Sequence, residues 1–334
     1  MVRERKVGVP AESRAQRAIS WGGVSVGSRS LTGVVEVMGA KPVAELPVPV
    51  RRAGPLSGLS PSRAGDFMTC PLLFRFRTLD RLPELPSAAA ARGTLVHGVL
   101  EHLFDLDAVE RTPGRAAAML PATWEQLVAV EPELATLVGD GDGDRDAWFA
   151  AATDLLDRYF LLEDPSRLEP AERELFVETE LEGGLRLRGY VDRLDVAPGG
   201  DLRVVDYKTG KAPGEGFEAR AFFQMRFYAL VLWKLRGVVP RLLQLVYLGS
   251  GEVLRYEPDE ADLLATERKI VAIWHAIERA HQQQDWRPNP SRFCEWCSHQ
   301  AICPAFGGTP PPLPVEIEAV DETPAEVEQA ERVG

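Results

Sequence analysis

Apolar positions along this chain change period from helical to alternating and back. In AAAARGTLVHGVLEHLF, Leu95, Val99, Leu100 and Leu103 recur at helical spacing and form one stripe. Just upstream, SPSRAGDFMTCPLLFRFR offers Ser60 as an N-cap and Pro61 at the first helical position. Pro71 then predicts a bend or a restart. The texture stays helical to about Ser166, with acidic loops such as GDGDGDRD, which lacks the glutamate at the offset a calcium loop requires. From Glu174 the period becomes two, and LFVETEL, LRLRGYVDRLDVA and DLRVVDYKT predict three successive antiparallel strands. A helix follows over about Glu218 to Leu235, with Phe222, Met225, Tyr228, Ala229 and Leu232 inward. RLLQLVYLG and EVLRYEP predict two more strands, and DEADLLATERKIVAIWHAIERAHQQ a long helix. The order predicts an α/β (α+β) domain with a mixed central sheet flanked by helices.

Composition refines this outline. Residues 1–55 show neither period and read as a flexible extension, and residues 309–334, Pro-rich and then acidic, as a disordered tail. No apolar run reaches the ~18 residues of a membrane span, and no apolar stretch of a signal peptide follows MVRERK, so a cytoplasmic protein is expected. The net charge of −12 weighs against a nucleic-acid partner, but the acidity is regional: Leu100–Glu182 holds about 21 acids against about 6 bases.

The hairpin GYVDRLDVAPGGDLRVVDYKTGKAP carries the chemistry. Strict alternation places Tyr190, Asp192 and Leu194 on one face and Val191, Arg193 and Asp195 on the other. It also puts Asp206 and Lys208 on one side, with Asp192 across from them. Two converging carboxylates repel unless a cation neutralises them, which suits Mg²⁺ or Mn²⁺ with oxygen ligands. A neighbouring lysine then orients water or stabilises an anionic transition state. On the residues alone, a solvated hairpin end with a surface ion pair remains open. The cysteines are four: Cys70, and Cys294, Cys297 and Cys303 in CEWCSHQAIC. Thiolates at this spacing grip one metal or one cluster.

These blocks resemble the RecB-like branch of the PD-(D/E)XK nuclease superfamily from about Leu59 to Phe306. GTLVHGVLE is similar to its helical GxxxHxxLE block, GYVDRLD to its GxxDR strand, VVDYKTG to its catalytic DYKTG strand and QMRFY to its QxxxY block. Val191 stands where the superfamily's name has proline, as is usual in this branch. The resemblance implies that His97, Asp192 and Asp206 bind Mg²⁺ or Mn²⁺, that Tyr207 lends its backbone carbonyl, and that Lys208 is the catalytic lysine. Gln224 and Tyr228 would face the site, and Glu101 would support it. Tyr190 and Arg193 are structural or phosphate-facing. The distant Cys70 with the C-terminal CxxC-x5-C resembles the iron-sulfur clasp of AddB-type nucleases, implying a [4Fe–4S] cluster on all four cysteines, with Zn²⁺ as the rival. His299 is incidental to it.

The resemblance implies a nuclease domain over 56–308, with an acidic helical insertion at about 105–170. Its activity would be metal-dependent DNA hydrolysis, an exonuclease on single-stranded or frayed ends. Phe76, Phe293 and Trp296 pack in the core or offer stacking, and Arg75 and Arg77 offer phosphate contacts. The alternatives are a catalytically idle nucleic-acid-binding module of a helicase-nuclease complex, or a CRISPR-adaptation nuclease. No GxxxxGK[ST] stretch occurs, so any motor would be a separate partner, a helicase.

Overall fold

Ser60 starts the first helix as its sequence suggests. Its hydroxyl accepts the Arg63 N–H at 3.3 Å, and Pro61 occupies the first turn of α1 (Pro61–Thr69). Cys70 is extended (φ −161°, ψ 116°), and the helix restarts as α2 (Pro71–Phe74). A computed structural model describes residues 3–6, 56–139, 141–214 and 218–314 of the chain. The remaining helices are α3 (Ala88–Leu103), α4 (Pro113–Val130), α5 (Asp142–Leu162), α6 (Glu218–Arg236) and α7 (Glu260–Gln282). Asp142 to Asp146 of the acidic string thus lie in the first turns of α5.

The strands are β1 (Arg3–Lys6), β2 (Glu172–Glu180), β3 (Arg186–Val196), β4 (Leu202–Lys208), β5 (Leu242–Tyr247) and β6 (Glu252–Tyr256). They form one six-stranded mixed sheet in the order β1-β6-β5-β4-β3-β2. The β2–β3–β4 run is antiparallel, and β4 is parallel to β5 through α6. Each face of the sheet has its own core. Phe222, Phe227, Leu245 and Ile270 join α6 and α7 to one face, where α1 and α2 also pack. Leu95, Leu100, Trp148 and Leu156 join α3 and α5 to the other, with α4. β4 contributes alternately to both, Val204 to the first and Val205 and Tyr207 to the second. This is a mixed α/β, restriction-endonuclease-like architecture, and α4 and α5 belong to its core.

Two expectations need correction. The extension reading fails at its start, because Arg3–Lys6 pair in parallel with β6. This pairing uses backbone groups that the edge of β6 offers, so it requires no apolar period. Arg5 secures it with ion pairs to Glu252 at 2.9 Å and Glu218 at 3.4 Å. The rest of residues 1–55, and the tail beyond 314, lie outside the described residues.

Strict alternation also fails in β3. Gly189 and Val191 face α6, but Arg193 points to the opposite side, against Tyr207 and Glu163, and Leu194 returns to the α6 core. The reversal falls at Asp192. Across from it, between the register pairs Arg173↔Arg193 and Leu175↔Val191, Glu174 has a left-handed φ of 42°. The ladder to β4 begins only at Arg193↔Val205. A left-handed φ costs a non-glycine residue on the order of 1–3 kcal/mol, so the surrounding structure must hold it.

The motif glycine has a packing reason. A Cβ at Gly189 would lie 2.6 Å from Cε1 of the buried Tyr228 ring. Gly189→Ala should lower the urea midpoint by the equivalent of about 1–3 kcal/mol with an unchanged m-value. An unchanged midpoint would mean the ring yields freely.

Candidate active site

Asp192, on the side of β3 opposite Val191, faces α3. There His97 Nε2 lies 2.9 Å from the Tyr207 carbonyl. A carbonyl only accepts, so Nε2 carries the proton and Nδ1 presents its lone pair to Asp192 Oδ2, 3.5 Å away. Burial, aided by Lys208, holds the imidazole below its ordinary pKa, although Asp206 and the carbonyl oppose this. Asp192 Oδ2 accepts the Tyr207 N–H at 2.8 Å. Burial, and then the charge of Asp206, still push the Asp192 carboxyl well above the usual carboxylate range. Glu174 is raised too, by burial and then by Glu101 and Asp206.

His97, Glu174 and Asp192 each offer a ligand atom, and these atoms lie within 4.8 Å of one another. The donor set is a lone pair and two carboxylates that burial and mutual repulsion make reluctant to ionise. A hard or borderline divalent cation relieves all three at once, so the residues fit the metal. Glu174 was not legible as a site residue. It opens an alternating run with Leu175 and Val177 turned to the α6 core, and nothing in the sequence tells that His97 of α3 lies on its other side.

Asp206 and Lys208 project together, as alternation predicts. Lys208 Nζ is 2.7 Å from Asp206 Oδ2. Gln224 on α6 bridges the pair, accepting from Lys208 at 3.0 Å and donating to Asp206 Oδ1 at 3.0 Å. Gln224 also donates to the Tyr228 hydroxyl at 3.3 Å. Burial pushes the Tyr228 phenol up to about 12, so it stays protonated. Glu101 lines a cleft of about 450 Å³ with His97 and Glu174, and its backbone carbonyl accepts from Arg173.

Arg193 is structural. It is buried, with both terminal nitrogens on the Glu163 carboxylate at 2.8 and 2.9 Å and Nε 3.2 Å from Asp195. It also donates to the Tyr207 hydroxyl.

A second centre joins the chain's distant parts. Cys70, Cys294, Cys297 and Cys303 are all free and line one cavity of about 260 Å³. The Cys70 sulfur accepts the Asn289 N–H and the Cys294 sulfur the Ser291 N–H, each at 3.3 Å. Burial pushes the Cys297 thiol up, and the other three cysteines add to it.

Phe76 takes the core-packing alternative. The two arginines offered for phosphate are corrected, because Arg75 pairs with Asp80, and Arg77 with Asp66 and Glu84. His299 stands apart from the thiolates as expected, its ring buried against Phe76 with Nε2 2.9 Å from Glu84. Phe293 and Trp296 are exposed.

Compared with known families, residues 58–304 match the PD-(D/E)XK nuclease superfamily, and the chain belongs to it. Membership implies phosphodiester hydrolysis with divalent metal. The chain is similar to the gene 69 protein of Mycobacterium phage D29, 27% identical over 269 residues, covering 74% of this chain and 96% of that protein. It is also similar to the gene 69 protein of Mycobacterium phage L5, 31% identical over 136 residues, 40% of this chain and 44% of that one. The solved structure of SSO0001 covers 40% of this chain and 60% of its own, at 17% identity and a TM-score of 0.27. Among the described residues, no helix is long and apolar enough to cross a membrane.

A carboxyl raised on folding binds its proton more tightly in the folded state. Its ionised form therefore costs stability at neutral pH, and the cost fades as pH falls through the folded value. Asp192→Asn retains an acceptor for the Tyr207 N–H and removes the charge. At pH 7.5 in EDTA it should melt above the wild type. Mn²⁺ should raise the wild-type Tm by a few degrees and leave the variant unmoved. A variant that melts lower in EDTA would refute this electrostatic account.

Proposed function

We propose that the chain is a Mg²⁺- or Mn²⁺-dependent deoxyribonuclease of the RecB-like branch, an exonuclease acting on single-stranded or frayed DNA ends. The observation that carries this reading is the ligand trio His97, Glu174 and Asp192 beside the Asp206–Lys208–Gln224 group. The four blocks that resemble the branch converge there from α3, β3, β4 and α6.

Asp192 and Glu174, with His97 Nδ1 and support from Asp206, would hold the cation. When bound, it supplies Lewis-acid polarisation of a phosphoryl oxygen and a water acidic enough to attack. The Tyr207 carbonyl fixes the His97 tautomer, keeping Nδ1 available as a ligand. Lys208 presents an ammonium whose direction Asp206 and Gln224 fix, suited to orient the attacking water and stabilise developing negative charge. Tyr228 holds Gln224 from behind.

The four cysteines support an AddB-type clasp. The four line one cavity, and the resemblance of their spacing to that clasp favours a structural [4Fe–4S] centre, with Zn²⁺ on the same thiolates as the rival. Tying Cys70 to Cys294–Cys303 would close a loop of roughly 220 residues, which stabilises by an amount on the order of a long-loop disulfide, about 5 kcal/mol.

Purified protein should degrade end-labelled single-stranded DNA with Mg²⁺ or Mn²⁺ and not in EDTA. Asp206→Ala and Lys208→Ala should each reduce the rate by at least ~10²-fold with the circular dichroism spectrum retained. Undiminished cleavage in EDTA, or none with either metal, would contradict the reading. Protein purified without oxygen should be brown with about four irons per chain. A colourless product with one zinc would replace the cluster.

A further inference from the structure

The geometry points to Phe176 and Tyr190 as a stacking subsite that holds unpaired nucleobases of the strand entering the metal trio. The inference rests on the nuclease reading and names how its substrate is gripped. Phe176 and Tyr190 are register partners across β2 and β3, 49% and 57% exposed, with ring centroids 5.2 Å apart. Burying a large aromatic ring is favourable, so two adjacent rings left in water mark a contact surface.

Their position says what they contact. Each lies two residues along its strand from a member of the trio, Phe176 from Glu174 and Tyr190 from Asp192. Two strand residues span about 7 Å, close to the stride of an extended nucleotide chain. The opposite face of the hairpin is committed to the core, where Val177 and Val191 are buried and Gly189 meets Tyr228. The rings therefore front the side from which His97 is reached.

The charge beside the rings is mixed. Arg188 lies two residues before Tyr190 and Arg186 two further back. Glu178 is the register partner of Arg188 and tempers its hold on phosphate, which leaves selectivity to the rings. Aromatic faces beside cations bind single strands without regard to sequence. A duplex keeps its bases stacked inside and offers the rings nothing, so the site selects unpaired or frayed ends.

The test uses the full chain in EDTA, so that binding is read without cleavage. Anisotropy would compare labelled dT₁₂ with an oligomer of equal length built of abasic residues. Phe176→Ala and Tyr190→Ala should each weaken dT₁₂ binding roughly 5- to 100-fold and leave the abasic oligomer unchanged. Tyr190→Trp should restore dT₁₂ binding, which a folding defect would not allow. Equal weakening for both oligomers, or none for either, overturns the subsite while leaving the nuclease reading intact. A wild-type chain that binds neither oligomer overturns both.

Discussion

The buried guanidinium of Arg193 is the interaction on which the site's geometry depends. It sits between Glu163 at the C-terminal end of α5 and Asp195 two residues along β3, and Arg203 on β4 pairs with the same Asp195 at 2.7 Å. Gln244 on β5 also donates to Glu163, at 2.9 Å. Burial alone would raise Glu163, but Arg193 and Arg203 outweigh it and the carboxyl ends below its ordinary value. Such a network adds little net stability over an apolar equivalent, yet removing one member strands the others in a dry interior. Its yield here is positional. Arg193 must point at α5, whereas Val191 must point at α6, and Asp192 is the residue in between.

That constraint links the fold to the chemistry. The carboxylate that meets His97 lies on the face of β3 opposite Val191, and the one that stays with Lys208 comes from the regular alternation of β4. The two acids therefore approach the same place from different sides of one sheet. Their repulsion is the electrostatic tension that a cation relieves, and Gln224 keeps the ammonium on Asp206 rather than between the acids.

Most of this was legible before the fold was known, for reasons that can be named. Alternation placed Asp206 and Lys208 together because β4 is regular and buried on both faces. Ser60, Pro61 and Pro71 set helix ends through local rules that no tertiary contact overrides. Cys294, Cys297 and Cys303 are close in sequence, and the fold brings the distant Cys70 to the cavity that they line. Glu174 was hidden because a period of two assigns it a face but not the helix that packs there. β1 was hidden because pairing through backbone leaves no apolar trace. Arg75 and Arg77 looked available for phosphate because a sequence does not show which carboxylates will claim them.

The two outermost strands have a bearing on association. β1 reads Arg-Glu-Arg-Lys, and β2 carries Glu172, Arg173, Glu174, Glu178 and Glu180 among its nine residues. An unpaired strand margin is a template for another chain's backbone. On β2 a newcomer would have to strip water from charges such as Glu172, Arg173 and Glu178 before its first amide could bond. The aromatic pair on the broad side of the sheet carries no such cost.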